Sequence, residues 1–157
     1  MGCTFAQGYG IARPMPPGSL PAWLQHYEIP EEWKISASVP ISPRDAQVQL
    51  LRLESSHWME RVKKSLLAND ESDLHWPIML KEKCHCGRWT EHARQDNEFD
   101  PEWLNRLEHA HEELHRIGNE LMHLHQAGEI NPARSGVDRL RTAYQAVEEL
   151  LDQIPDR

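Results

Sequence analysis

The density of proline divides this chain near residue 43, and this division limits its fold more than any other feature. Seven of the eleven prolines and four of the eight glycines lie in the first 43 residues. Proline removes a backbone donor and clashes with the preceding helical turn, so no long helix fits in this segment. Beyond residue 43 the sequence is typical of helices separated by short breaks. We therefore predict a Pro/Gly-rich irregular amino-terminal segment followed by a helical domain.

Three long helices and one short helix are predicted after residue 43. Capping residues followed by proline mark their starts, and Gly128 is a stop signal after the third of them. Each long helix has apolar residues at steps of three and four, which form one buried seam. The fold class is therefore all-α, an antiparallel helical bundle of three long helices plus a short helix. The four predicted ranges are Ser42–Ala68, Lys83–Gln95, Asp100–Gln126 and Asn131–Ile154.

The charge of the chain limits its partners. Its 17 Lys and Arg against 25 Asp and Glu give a net charge of −8. This balance argues against a broad basic surface for nucleic acid or anionic lipid. No apolar run approaches the ~20 residues of a membrane span, and the first residues lack the features of a signal peptide. We expect a cytoplasmic protein, in which three cysteines serve as ligands, redox sensors or filler rather than as disulfides.

A pair of histidines lies on the seam of the third predicted helix. His111 and His115 are four residues apart, so both imidazoles project from one face and can bind one zinc ion. The segment also matches the His-Glu-x-x-His pattern of zinc peptidases, in which Glu112 would be the general base. That alternative lacks a predicted strand to align a substrate. The segment Cys84-His85-Cys86-Gly87-Arg88-Trp89 is a second candidate, since a thiolate is a good zinc ligand and Gly87 lets the chain turn near a metal.

Together the two motifs resemble the signature of the chemoreceptor zinc-binding domain. In that family Cys-x-(Phe/Leu)-Gly-x-Trp is followed about one helix later by His-x-x-x-His, and here Cys86 replaces the usual Phe or Leu. The resemblance covers roughly residues 45–152. It implies a helical bundle that binds one Zn²⁺ through three histidines and one cysteine, with Cys84, His111 and His115 among the ligands. Members of the family are cytoplasmic modules of chemoreceptors, diguanylate cyclases and cyclic di-GMP phosphodiesterases; they sense zinc or oxidants, and several are dimers.

The chain departs from that family at the remaining histidine. The family's histidine normally lies three residues before a tryptophan of the first helix, and alignment on Trp58 places Ser55 there. The nearest histidine is His57, which lies about 200° further around an ideal helix. We predict His57 as the fourth metal ligand. A site with three protein ligands is the alternative, with the gap filled by water, Glu54 or His75.

The first 24 residues have a separate resemblance. The run Gln7-Gly8-Tyr9-Gly10-Ile11-Ala12-Arg13-Pro14-Met15-Pro16 is similar to the carboxy-terminal end of an EAL domain, the cyclic di-GMP phosphodiesterase barrel. Residues 18–24 would then begin the last helix of that barrel. The catalytic residues of the barrel lie upstream of the matching segment, so the resemblance implies a remnant without phosphodiesterase activity. We therefore expect Met1 to stand at an internal position of a longer protein.

These resemblances imply three parts: an EAL remnant at 1–24, a linker at 25–43 and a zinc-binding bundle at 44–154. The function they imply is a zinc- or oxidant-responsive regulatory domain of a cyclic di-GMP signalling protein, without enzyme activity of its own. The expected partners are the parent phosphodiesterase barrel and a second copy of the chain. Leu50, Leu53 and His57 form a second strip on the first helix that can contact such a copy. A zinc peptidase and a metal-free helical interaction module are the alternative functions.

Overall fold

The computed structural model describes residues 8–38, 41–68, 70–97 and 99–154. The chain divides into two compact units, Met1–Gln47 and Val48–Arg157. This division lies close to the change in proline density from which a separate helical domain was predicted. No strand occurs in the described ranges, and no helix there combines the length and apolarity that crossing a membrane requires. The prediction of an all-α fold is confirmed.

The first unit contains more helix than the proline density predicts. A 3-10 turn at Pro17–Ser19 leads into α1 (Leu20–His26), and α2 covers Glu31–Ser38. The expectation of an irregular segment is therefore wrong for α2, whereas α1 lies where residues 18–24 were expected to begin a helix. Pro21 and Pro30 lie at helix starts, where the missing N–H costs no intrahelical bond. Pro21 is in the first turn of α1, and the Pro30 carbonyl accepts from the N–H of Trp33 in α2.

Five α-helices and a 3-10 turn at Glu71–Asp73 follow in the described ranges, and the first three of these α-helices match the predicted ranges closely. The helix α3 begins at Pro43, within the first unit, and continues into the second. The third predicted helix ends at Gln126 as expected, and Gly128 has a positive φ of 82°, a left-handed conformation that favours glycine. The bounds are α3 (Pro43–Leu67), α4 (His85–Asp96), α5 (Pro101–Gln126), α6 (Ile130–Ser135) and α7 (Val137–Asp152).

The prediction of one unbroken last helix is wrong. The chain instead forms α6 and α7, with Gly136 between them. A Cβ atom built on Gly136 would lie 2.2 Å from Cδ2 of Leu121 on α5. Glycine therefore allows the backbone to approach α5 closely at the break. This contact is between residues far apart in sequence, and local periodicity does not reveal it.

The two helices α5 and α7 run antiparallel. Near one end, Trp103 Nε1 donates to the Leu150 carbonyl at 2.9 Å. Near the other, Arg139 pairs with Glu120, with Nη1 and Oε1 2.9 Å apart. The start of α5 therefore lies beside the end of α7, and the end of α5 lies beside the start of α7.

Two contacts give the direction of α3. Arg52, in its first half, pairs with Asp152 at the end of α7. The Leu66 carbonyl, near the end of α3, accepts from Nε of Arg134 on α6, shortly before α7 begins. The helix α3 therefore also runs antiparallel to α7, and the predicted antiparallel bundle is confirmed.

The predicted seams supply much of the core of the second unit, and Cys86, Ala93 and Phe99 are among the buried residues outside them. On α3 every residue of the seam is buried, including the polar Ser55. On α5 the seam is buried from Leu104 to Leu121, and the two histidines of the candidate site lie within it. The buried seam of α3 comprises Val48, Leu51, Ser55, Trp58, Val62 and Leu66.

Candidate metal centre

The sulfur of Cys84 is fixed at the start of α4. Cys84 is the N-cap residue, and its Sγ accepts from the Gly87 N–H at 3.3 Å. The thiol lies 3.2 Å from the Lys81 carbonyl, to which it donates. A Cβ atom on Gly87 would lie 2.0 Å from that same carbonyl oxygen. Only glycine therefore allows the 81–84 turn to fold back onto α4 and hold the sulfur in place.

Both histidines of the His-x-x-x-His pair are buried on α5. His111 and His115 are each 4% exposed, and their ring centroids lie 4.6 Å apart. Their spacing of four residues places them on one face of the helix, as predicted. That face is directed toward the start of α4.

Three donor atoms converge where these elements meet. Cys84 Sγ lies 3.0 Å from His111 Nε2, and the ligand atoms of Cys84, His111 and His115 all lie within 4.8 Å of one another. Ligands roughly 2.0–2.3 Å from one zinc ion in a tetrahedron are about 3.3–3.8 Å apart. One thiolate and two imidazoles are also donors that zinc prefers. The three residues therefore fit a zinc ion in both chemistry and spacing.

Burial keeps the free donors uncharged. It lowers the pKa of His111 to about 3, with a smaller contribution from His115 nearby. Burial also lowers the pKa of His115 and raises the pKa of the Cys84 thiol. Both imidazoles are thus neutral near pH 7, the form that binds a metal, whereas Cys84 has to release a proton when it binds one.

A loop before α4 orients His115. The Nδ1 of His115 lies 2.9 Å from the Met79 carbonyl, which can only accept, so Nδ1 carries the proton and Nε2 is left to bind a metal. Asn119, one turn further along α5, donates to the same carbonyl at 3.1 Å. On α3, Trp58 packs against the His115 ring with centroids 4.6 Å apart and donates to the Ile78 carbonyl at 2.8 Å.

A pocket of about 120 Å³ lies beside the donors. Exposed side chains from α3 and from the loop before α4 are part of its lining, so it is open to solvent. Ser55, which is 6% exposed, belongs to the wall that α3 contributes. Besides the donors, the lining includes Glu54, Ser55, Trp58, Arg61, Ile78 and Leu114.

The structure brings together three of the four predicted ligands. His57 is exposed on α3; it lines the pocket but is not part of the donor cluster. Glu54 and His75, the alternative fourth ligands, are also exposed and outside the cluster. Cys86 is buried and lines the pocket without joining the three donors. The prediction that α3 supplies a ligand through His57 thus gains no support from its position.

The position of Glu112 does not favour the peptidase alternative. Its Oε1 pairs with Lys81 Nζ at 2.8 Å, and its side chain is 53% exposed. This ion pair lowers the pKa of the Glu112 carboxyl. Glu112 is not among the residues that line the pocket. A general base at a metal-bound substrate would have to reach that pocket.

Several groups that form the site were not predicted from the sequence. Asn119 follows His115 by four residues, so the helical period places both on one face, and this position could have been predicted. The carbonyls of Ile78, Met79 and Lys81 give no such signal, because any residue type supplies a carbonyl. Their role depends on the path of a loop without regular secondary structure.

Comparison with known families agrees with this geometry. Residues 56–122 match the family model described as the chemoreceptor zinc-binding domain. The match includes Cys84, His111 and His115 and begins one residue after Ser55. No curated protein and no solved structure gives a significant match. The family match and the donor cluster together confirm the prediction of zinc as the cofactor.

Proposed function

We propose that the unit from Val48 onward is a regulatory domain whose conformation depends on bound zinc. The observation that carries this proposal is the convergence of Cys84, His111 and His115 from two separate segments within 4.8 Å. A zinc ion bound there would join the start of α4 to α5. The helix α3 is coupled to the same centre through Trp58, which contacts both His115 and the loop carbonyl of Ile78. Metal binding is therefore coupled to the packing of three helices.

This coupling can be tested by thermal unfolding with zinc and with a chelator. We expect the zinc form to melt at a higher temperature, because an ion that binds only the folded chain stabilises it. The difference should disappear in Cys84→Ala. Cys86→Ala is the matched control, since Cys86 is a buried cysteine two residues away that lies outside the donor cluster. Equal melting temperatures with zinc and with chelator in the unmodified chain would contradict the proposal.

We also propose that Cys84 makes the domain responsive to oxidants. Zinc favours the thiolate, which is the form that oxidants attack. Hydrogen peroxide would transfer one oxygen atom to the sulfur, giving a sulfenic acid and hydroxide in a two-electron oxidation of Cys84. A protein ligand would be lost, and zinc would be released. A chromogenic chelator should report this release in the unmodified chain and in Cys86→Ala; zinc that stays bound while Cys84 is oxidised would contradict the mechanism.

The proposed setting is cyclic di-GMP signalling in the cytoplasm. The similarity of residues 7–16 to the end of an EAL domain supports the link, although Gln7 lies outside the described residues. The free thiols of Cys84 and Cys86 suit a reducing compartment. With an EAL barrel joined in front of the chain, zinc should change the rate of cyclic di-GMP hydrolysis, and Cys84→Ala should abolish this change. Equal rates with zinc and with a chelator in the unmodified fusion would contradict the link.

A homodimer through α3 is the proposed assembly. Leu53 is 42% exposed, His57 is exposed and Leu50 is half-buried, so two of the three residues of the predicted strip are open to a partner. Light scattering at micromolar concentration should give twice the mass of the chain, and Leu53→Glu should give the mass of one chain. A monomer mass for the unmodified chain would contradict the assembly.

A further inference from the structure

Two walls of the metal pocket supply donors, and the third wall does not. Cys84 comes from the start of α4, and His111 and His115 come from α5. The wall formed by α3 presents Ser55 and Trp58 as its buried residues. Among the described residues, no fourth His, Cys, Asp or Glu joins the three donors. The side of the centre that faces α3 therefore lacks a strong protein ligand.

We propose that this centre keeps one coordination position for an external ligand, a small monoanion that enters through the pocket beside Ser55. The inference rests on the proposed zinc domain and adds a ligand to it. Zinc in proteins is usually four-coordinate, and three protein ligands leave one place that a small molecule can occupy and exchange. The domain would then respond to a molecule as well as to the metal.

The charge of the site selects an anion. A zinc ion with one thiolate and two neutral imidazoles has a net charge of about +1. The guanidinium of Arg61 lines the same pocket and adds positive charge. Glu54, the carboxylate of the lining, is exposed on α3, and its charge offsets that of Arg61. The charge that remains is that of the metal centre, so one negative charge on the ligand balances it.

The pocket has room for a ligand of a few atoms beside the donors. Its volume is about 120 Å³, and it is open to solvent. Trp58, Ile78 and Leu114 give it apolar walls, which suit a weakly hydrated anion. Azide has this size and charge and is the probe for the experiment.

The experiment uses the full chain loaded with Co²⁺, whose visible absorption bands report the ligands around the metal. We expect azide to shift these bands saturably in the unmodified chain and in Ser55→Ala, which retains the open position. Ser55→His supplies a fourth donor from α3. Its bands should not respond to azide, and its zinc affinity should rise by at least about tenfold, the scale on which even outer ligand partners change affinity. Ser55→Cys is a second closing variant with the same expectation.

Two further comparisons keep the inference separate from the proposed function. His57→Ala should bind metal and respond to azide as the unmodified chain does; a loss of metal affinity in this variant would identify His57 as the fourth ligand and overturn the inference. Metal uptake without any azide-dependent shift in the unmodified chain would overturn the inference alone. A chain that takes up neither zinc nor cobalt would contradict the proposed function, and the inference with it.

Discussion

Cys84 Sγ and His111 Nε2 lie 3.0 Å apart, although the two residues are 27 positions apart in the sequence. One is the cap of a short helix, and the other lies on the buried face of a long one. The two polar groups lie within hydrogen-bonding distance of each other in an apolar core. A shared zinc ion would bind the same two atoms.

Replacement of Gly87 should weaken zinc binding without removing a ligand. In Gly87→Ala the new methyl group would meet the Lys81 carbonyl at 2.0 Å, so the turn that holds Cys84 has to move. We expect zinc affinity to fall by about tenfold or more, comparable with the loss of a residue that orients a ligand. A competition titration with a chromogenic chelator measures this.

The matched control is Gly18→Ala, where a Cβ atom meets nothing within 4 Å. Its zinc affinity should equal that of the unmodified chain. Unchanged affinity in Gly87→Ala would show that the close approach of Lys81 does not position the sulfur.

Removal of the Asn119 amide should loosen the loop that orients His115. Asn119 donates both to the Met79 carbonyl and to the His115 carbonyl. In Asn119→Ala the Met79 carbonyl keeps only the bond from His115, and we expect zinc affinity to fall by roughly tenfold. Asn105→Ala, which changes an exposed asparagine on the same helix, is the control for the titration. Equal affinities in the two variants would remove Asn119 from the site.

The metal-free chain should lose stability as the pH falls. In the folded state burial lowers the pKa of His111 from 6.5 to about 3. Between these values the unfolded chain binds a proton at His111 that the folded chain does not, so the free energy of unfolding decreases with decreasing pH. The lowered pKa of His115 acts in the same direction. Above about pH 6.5 this contribution is constant.

Urea titrations with a chelator at several pH values measure this dependence. His111→Leu removes the titrating group, so its free energy of unfolding should decrease less between pH 6.5 and 4. His92→Gln replaces an exposed histidine of α4 and should retain the dependence of the unmodified chain. The same pH dependence in His111→Leu and in the unmodified chain would show that His111 is not buried in neutral form.

Glu112 should be dispensable for the function of the centre. Its ion pair with Lys81 is at the surface, where solvent and salt screen the attraction. We expect Glu112→Gln to leave both the melting temperature and the zinc affinity essentially unchanged. A generic peptide should not be cleaved by either protein. Zinc-dependent cleavage that Glu112→Gln abolishes would instead establish the peptidase alternative.

The local features of the sequence were sufficient to predict much of this structure. Steps of three and four residues identified the buried seams of α3 and α5, and capping residues located their ends. The motifs around Cys84 and His111 made these residues candidates, and the resemblance to the chemoreceptor zinc-binding domain implied that Cys84, His111 and His115 share one site. Such features depend on neighbours within one or two turns, which a sequence displays directly.

The remaining features depend on contacts between distant segments. Gly136 lies at the break between α6 and α7 and lets the backbone approach Leu121, and the orientation of His115 follows from the carbonyl of Met79 in an irregular loop. His57 was predicted as the fourth ligand because it is the histidine of the first helix, although the register already placed Ser55 at the family's ligand position. His57 lines the pocket but is exposed and lies outside the donor cluster. The fourth ligand therefore stays a prediction.

The zinc content of the purified chain tests the central claim most directly. Mass spectrometry should find about one zinc per chain in the unmodified protein, as a single structural or regulatory site requires. Cys84→Ala and His111→Ala should lose it, whereas Cys86→Ala and His92→Ala should retain it. Absence of zinc from the unmodified chain after supplementation, or full zinc content in Cys84→Ala, would contradict the account.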